Sequence, residues 1–229
     1  MINNDVFLLM GQSNMAGRGL LSDVEPIVDS SISVLNEGNW QLAKEPLHHD
    51  SSDAGVGLAM SFAEQLRVHN PASQISLIPC AVGSTSIDEW LEGPLYDQAI
   101  ERAKKAKSAG NLRAVLWHQG ESNSGTAEKA EGYADKLACL ISNLRRDLAE
   151  PKLAFVAGEL PRFLPQPNRF QYSNSVNRAL VSLVADVPNY QLASSENLTA
   201  NEDNVHFNAR SLRELGQRYF QAYLRAQND

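Results

Sequence analysis

Ser13 closes the stretch Val6-Phe7-Leu8-Leu9-Met10-Gly11-Gln12-Ser13, in which an apolar run stops at a glycine. A tight turn after a buried strand presents a hydroxyl to solvent and aims backbone N–H groups at whatever it attacks. A serine hydroxyl becomes a useful nucleophile only beside a base. The base candidates are His48, His49, His69, His118 and His206, and His206 stands apart because Asp203 lies three residues before it. A carboxylate at that spacing can meet the imidazole Nδ1, fix the tautomer and stabilise the imidazolium. Taken alone, Ser13 also reads as a helix cap and Asp203 as a turn residue.

Acyl transfer also needs donors for an oxyanion. The Ser13 and Gly83 N–H groups would project from strand ends into one crevice, and Gln119 or Asn123 would add an uncharged amide. Gly83 could instead only permit a turn, Gln119 could satisfy local backbone groups, and Glu121 could orient the donors or sit solvated in its loop. Trp90 could stack on a sugar ring or pack within its loop. Arg18 could contact substrate or close a loop by ion pairing. His48-His49-Asp50 reads as loop surface, although its long segment could line the cleft, and Cys80 and Cys139 read as buried, inert thiols. Two cysteines are too few for a disulfide framework, and no HExxH or comparable ligand spacing marks a metal site.

The elements that would position these residues alternate along the chain. Apolar runs at Val6–Met10, Ile32–Leu35, Ile75–Pro79, Ala114–Trp117, Leu153–Ala157 and Tyr190–Ala193 read as strands. Helical patterns occupy Gly57–Val68, the segment opened by Pro94, Thr126–Leu148, Asn174–Val184 and Asn208–Leu224. Such alternation predicts an α/β fold, a three-layer α/β/α sandwich around a central parallel sheet of about five strands. Reactive groups in that architecture gather beyond the carboxyl ends of the strands. Four polar motifs converge there: Gly11–Met15, Gly83–Ser86, His118–Asn123 and Asp203–His206.

With 229 residues, the chain fits a single domain spanning 1–229. Twenty Lys+Arg against 27 Asp+Glu give a net charge of −7, which argues against nucleic acid or an anionic membrane as partner and favours a neutral or small substrate. Nothing approaches 18 consecutive apolar residues, so no membrane span is expected. Met1-Ile2-Asn3-Asn4-Asp5 lacks the basic start and apolar core of a signal peptide, which reads as cytoplasmic unless a leader has been removed and the protein is secreted or periplasmic. Nothing in the sequence specifies an oligomeric state.

Gly11-Gln12-Ser13-Asn14-Met15-Ala16-Gly17-Arg18-Gly19 resembles the first block of the SGNH hydrolase superfamily, and more narrowly of its sialate O-acetylesterase and acetylxylan esterase branch, carbohydrate esterase family six. Gly55–Leu58 with Ile78–Trp90 is similar to the second block, Leu116–Asn123 to the third, and Asp203-Asn204-Val205-His206-Phe207 to the last. The resemblance implies a flavodoxin-like SGNH sandwich and a carboxylic-ester hydrolase that removes acetyl groups from carbohydrates without cofactor or metal. It implies Ser13 as nucleophile, His206 as base and Asp203 as orienting acid. The oxyanion donors would be Ser13, Gly83 and Gln119, with Asn123 as the alternative third. Gln12, Asn14, Arg18, Ser84, Trp90 and Glu121 would support the site or touch substrate. Met15 stands where a G-x-S-x-G elbow would need glycine, which separates the chain from the α/β-hydrolases. The rival readings are an SGNH lipase or thioesterase acting on longer acyl chains, and a non-catalytic flavodoxin-like module whose Gly83-Ser84-Thr85-Ser86 cradles a phosphate.

Overall fold

The computed structural model describes residues 4–166 and 169–228; the first three residues of the N-terminal segment read above for a signal lie outside them. Seven strands form one sheet: β1 (Asn4–Gly11), β2 (Ile32–Asn36), β3 (Asn39–Leu42), β4 (Gln74–Pro79), β5 (Asn111–His118), β6 (Ala154–Gly158) and β7 (Tyr190–Ala193), in the order β3-β2-β4-β1-β5-β6-β7. All neighbours pair in parallel except β3, which runs antiparallel to β2. The expected count of about five is therefore low. The unread strand, Asn39-Trp40-Gln41-Leu42, is an exposed edge hairpin with no apolar run to announce it.

β1 is the centre of the sheet, and its side chains alternate between two cores. Phe7 and Leu9 face a layer built on α2 (Ala59–His69) and α8 (Ala209–Ala226). Val6, Leu8 and Met10 face the opposite layer, with α4 (Pro94–Ala106), α6 (Tyr133–Asp147) and α7 (Ser173–Asp186). Burial on both faces is why β1 is continuously apolar rather than alternating. Phe7, Phe62 and Tyr223 meet edge-to-face, pinning the first layer to the central strand. The described residues also hold three short helices, α1 (Ser13–Ala16), α3 (Asp88–Leu91) and α5 (Ala127–Ala130). The long amphipathic stretch expected from Thr126 to Leu148 is interrupted where Gly132 adopts a left-handed conformation between α5 and α6.

Parallel pairing sends the ends of β1, β4 and β5 to one edge of the sheet. α8 starts at that edge too, fixed by its Asn208 cap, whose side chain accepts the Ser211 N–H at 2.9 Å. No helix among the described residues is long and apolar enough to cross a membrane.

Candidate active site

The chain leaves β1 through Gly11, whose φ of 124° suits glycine, and any Cβ there would collide with the His118 carbonyl. Gln12 precedes the first turn of α1, so Ser13 is the first helical residue rather than its cap. Its N–H lies among the early N–H groups that a helix cannot pair internally. Ser13 Oγ lies 2.8 Å from His206 Nε2, and His206 Nδ1 lies 2.5 Å from Asp203 Oδ2. A carboxylate can only accept, so Nδ1 carries the proton, which leaves the Nε2 lone pair to receive the Ser13 O–H. Of the other candidate bases, His118 and His48 are buried in the interior and held neutral by that burial.

Asp203 is held as firmly as it holds. Its Oδ1 accepts the backbone N–H groups of Val205 at 2.8 Å and His206 at 2.9 Å, forming a tight turn with Asn204 in the left-handed region. Burial opposes ionisation of Asp203, but the N–H groups of His206 and Val205 and the His206 ring outweigh it and hold the carboxyl below its usual range. The turn is anchored to the first loop as well, because the Asn201 side chain donates to the Arg18 carbonyl at 2.6 Å.

Behind Ser13 lies a buried amide network. Asn14 donates to Glu121 Oε1 at 2.6 Å and accepts the Phe207 N–H at 3.1 Å, joining the serine, the third block and the histidine turn. Burial raises the Glu121 pKa, partly offset by the Asn14 hydrogen bond. Gln12 Oε1 accepts from Gln119 Nε2, Gly120 N–H and Ser122 N–H at 3.3–3.4 Å, bracing the loop after β5 against the loop after β1. Gln119 and Asn123, expected as third oxyanion donors, are wholly buried. The Gln119 amide donates to Thr85 O at 3.0 Å and Asn123 Oδ1 at 2.8 Å, while its own oxygen accepts from Tyr133. Asn123 also takes the Ile87 N–H. Both amides are spent on scaffold contacts.

The opening beside Ser13 is a cavity of ≈ 230 Å³ lined by Ser13, Arg18, Asp50, Ser51, Asp53, Gly83, Ser84 and His206. Arg18 is buried and pairs with Asp50 at 2.7 Å and Asp53 at 3.2 Å, so it closes a loop as well as lining the cavity. Asp50 belongs to the segment read as loop surface, yet its side chain is 5% exposed and its Oδ2 accepts the Gly83 N–H at 2.8 Å. Sequence reasoning missed this contact. The only local signal was an acid within a long irregular loop. Trp90 is fully buried, donates to Thr85 Oγ1 at 3.0 Å and meets Trp117 edge-to-face, so it offers no platform to a sugar. Cys80 is buried and its pKa is pushed up to about 12, whereas Cys139 is exposed rather than buried as expected, because its side of α6 faces solvent.

The chain is similar to known proteins over nearly its whole length. The family described as carbohydrate esterase, sialic acid-specific acetylesterase matches residues 3–225. A protein of Arabidopsis thaliana described as a probable carbohydrate esterase is 34% identical over 243 residues, covering 96% of this chain and 90% of the relative. A crystal structure of an Arabidopsis thaliana protein superposes with a TM-score of 0.87 at 33% identity, covering 97% of this chain and 98% of that one. The fold recurs in NanS, at a TM-score of 0.76 and 16% identity, over 99% of this chain and 98% of NanS. It recurs again in a carbohydrate acetylesterase from Xanthomonas citri, at a TM-score of 0.74 and 18% identity, over 98% of this chain but 57% of that longer one.

Proposed function

Because the chain belongs to the carbohydrate esterase, sialic acid-specific acetylesterase family, we propose that it hydrolyses O-acetyl esters of carbohydrates with Ser13 as nucleophile, His206 as proton carrier and Asp203 as orienting carboxylate. The observation that carries the residue assignment is the continuous line from Asp203 Oδ2 through the imidazole to Ser13 Oγ.

Ser13 Oγ attacks the acetyl carbon while its proton passes to His206 Nε2. The tetrahedral oxyanion is met by the N–H groups of Ser13 and Gly83, each worth roughly 3–4 kcal/mol to the transition state. Collapse breaks the bond to the sugar oxygen, which takes the proton from His206 and departs as an alcohol. His206 then removes a proton from water, the hydroxide attacks the acetyl-serine, and acetate leaves as Ser13 regains its proton. Gln119, Asn123, Gln12 and Glu121 shape the wall behind this chemistry, and Ser84 borders the acyl site.

A small acyl group fits a ≈ 230 Å³ cavity whose lining carries hydroxyls, carboxylates, a guanidinium and an imidazole but no large apolar side chain. That lining disfavours the longer-chain lipase or thioesterase reading. A neutral sugar fits better than a sialoside, because the single cavity arginine, Arg18, is already engaged by Asp50 and Asp53. The phosphate-cradle reading fares worst: the Gly83 N–H faces a carboxylate, which repels an anion.

The test is acetate release from acetylated xylan oligosaccharides, acetylated glucose and O-acetylated sialic acid. The parent chain is expected to release acetate fastest from the neutral sugars, and Ser13→Ala and His206→Ala to release almost none. Parent-rate hydrolysis by either variant overturns the assignment.

A further inference from the structure

Asp50 stands between two cavities. On one side is the site with Ser13 and His206; on the other is a groove of ≈ 670 Å³ whose lining includes Glu37, Gln98, Glu101, Arg102 and Lys105. Asp50 is the one residue common to both linings. A single oxygen, Oδ2, accepts the Gly83 N–H at 2.8 Å and Arg18 Nη2 at 2.7 Å.

An anionic oxygen at that distance from the Gly83 amide is what the tetrahedral intermediate must supply. The Asp50 carboxylate therefore occupies the place of the oxyanion on this donor, and one N–H cannot point well at two oxygens at once. Turnover requires Asp50 to let go. The backbone around it has room to move, since His49, Ser51, Ser52 and Asp53 are all exposed, and in moving, the buried Asp50 side chain gives up its ion pair to Arg18. The groove beyond offers carboxylates, amides and cationic side chains side by side, a lining suited to ring hydroxyls, which both donate and accept. A hydroxyl donated to Oδ2 from the groove competes directly with the Gly83 N–H.

Building on the acetylesterase reading, we propose that Asp50 is a specificity-determining lock: it holds the Gly83 N–H until a sugar ring seated in the adjoining groove draws the carboxylate away. Hydroxylated esters then assemble the oxyanion site, and esters without a sugar find it closed.

The experiment compares the parent chain, Asp50→Ala and Asp50→Asn on p-nitrophenyl acetate and on acetylated xylo-oligosaccharides, with a thermal melt of each protein. Freeing one oxyanion donor is worth up to about 10²–10³ in kcat, so Asp50→Ala is expected to raise kcat on p-nitrophenyl acetate by roughly tenfold or more and to shift the ratio of the p-nitrophenyl acetate rate to the oligosaccharide rate by at least as much. Asp50→Asn, which nearly preserves shape, keeps an acceptor but loses the ion pair to Arg18. It is expected to fall between, and it carries the test if the alanine variant does not fold. An unchanged or lower kcat on p-nitrophenyl acetate in the folded variants overturns the lock and makes Asp50 a support for the loop. A parent chain inactive on both esters overturns the acetylesterase reading itself, whereas an active parent with unresponsive variants overturns the lock alone.

Discussion

The Asn14 side-chain oxygen accepts the Phe207 backbone N–H at 3.1 Å, so the residue after Ser13 grips the residue after His206. The same amide donates to buried Glu121 at 2.6 Å. Asn14→Ala removes both contacts and leaves a buried carboxylate without its donor, at a cost of about 1–3 kcal/mol in stability. Slippage of the His206 turn by an ångström should also lower kcat by roughly 10²-fold, with KM less affected. Steady-state kinetics and a denaturant titration of this variant measure the two effects separately.

Asp203→Asn keeps the shape of the turn and changes what its side chain can accept. An amide nitrogen opposite Nδ1 favours the wrong imidazole tautomer, with the proton on Nε2 facing Ser13. The expected loss is on the order of 10⁴ in kcat, with binding of a non-hydrolysable acetamido sugar retained. Retention of more than a tenth of the parent kcat would count against Asp203 as the orienting acid.

Stability should decline as the medium is acidified, and the buried histidines predict where. Burial holds the His48 pKa down to about 4 and the His118 pKa down to about 3, against 6.5 for the free side chain. Above pH 6.5 both are neutral folded or unfolded and contribute no slope. Between 6.5 and about 4 the unfolded chain takes up protons that the folded chain refuses, so stability falls by up to about 1.4 kcal/mol per pH unit for each histidine. Asp203 acts lower down: its depressed pKa contributes stability that is present above the unfolded carboxylate range and lost as pH drops through the folded value. Melting temperatures from pH 8 to pH 4 test the main window, and His118→Gln should flatten part of the slope.

On the acetylesterase reading, acyl length is set by the cavity walls. Rates on p-nitrophenyl acetate, butyrate and octanoate should fall in that order, because no large apolar side chain is present to receive added methylenes. A preference for octanoate would favour the lipase-like reading.

Much of the scaffold could be read in advance because burial on both faces leaves a plain mark: β1 and β5 are apolar runs ending at the polar blocks they deliver. β3 left none, since an exposed edge strand needs only backbone pairing to β2. The break at Gly132 is hidden for a related reason, because the apolar stripe resumes beyond it and periodicity alone reads through. At the site, Ser13, Asp203 and His206 were legible because each sits in a block with its neighbours. Asp50 was not, because its partner Gly83 lies 33 residues away and no local pattern marks an acid as facing a backbone N–H. For Trp90 and Gln119 the sequence left two uses open, ligand binding or internal packing, and in each case the side chain is consumed by the interior.

The Ser13–His206 hydrogen bond spans 193 positions of the chain, and the turn that carries His206 leads directly into α8. Ser13 is therefore placed by the central strand and His206 by the entry to the final helix, which packs on α2. The proposed activity thus depends on α8 staying seated, and a substitution that loosens α8 from α2 should lower hydrolysis even where the sheet is retained.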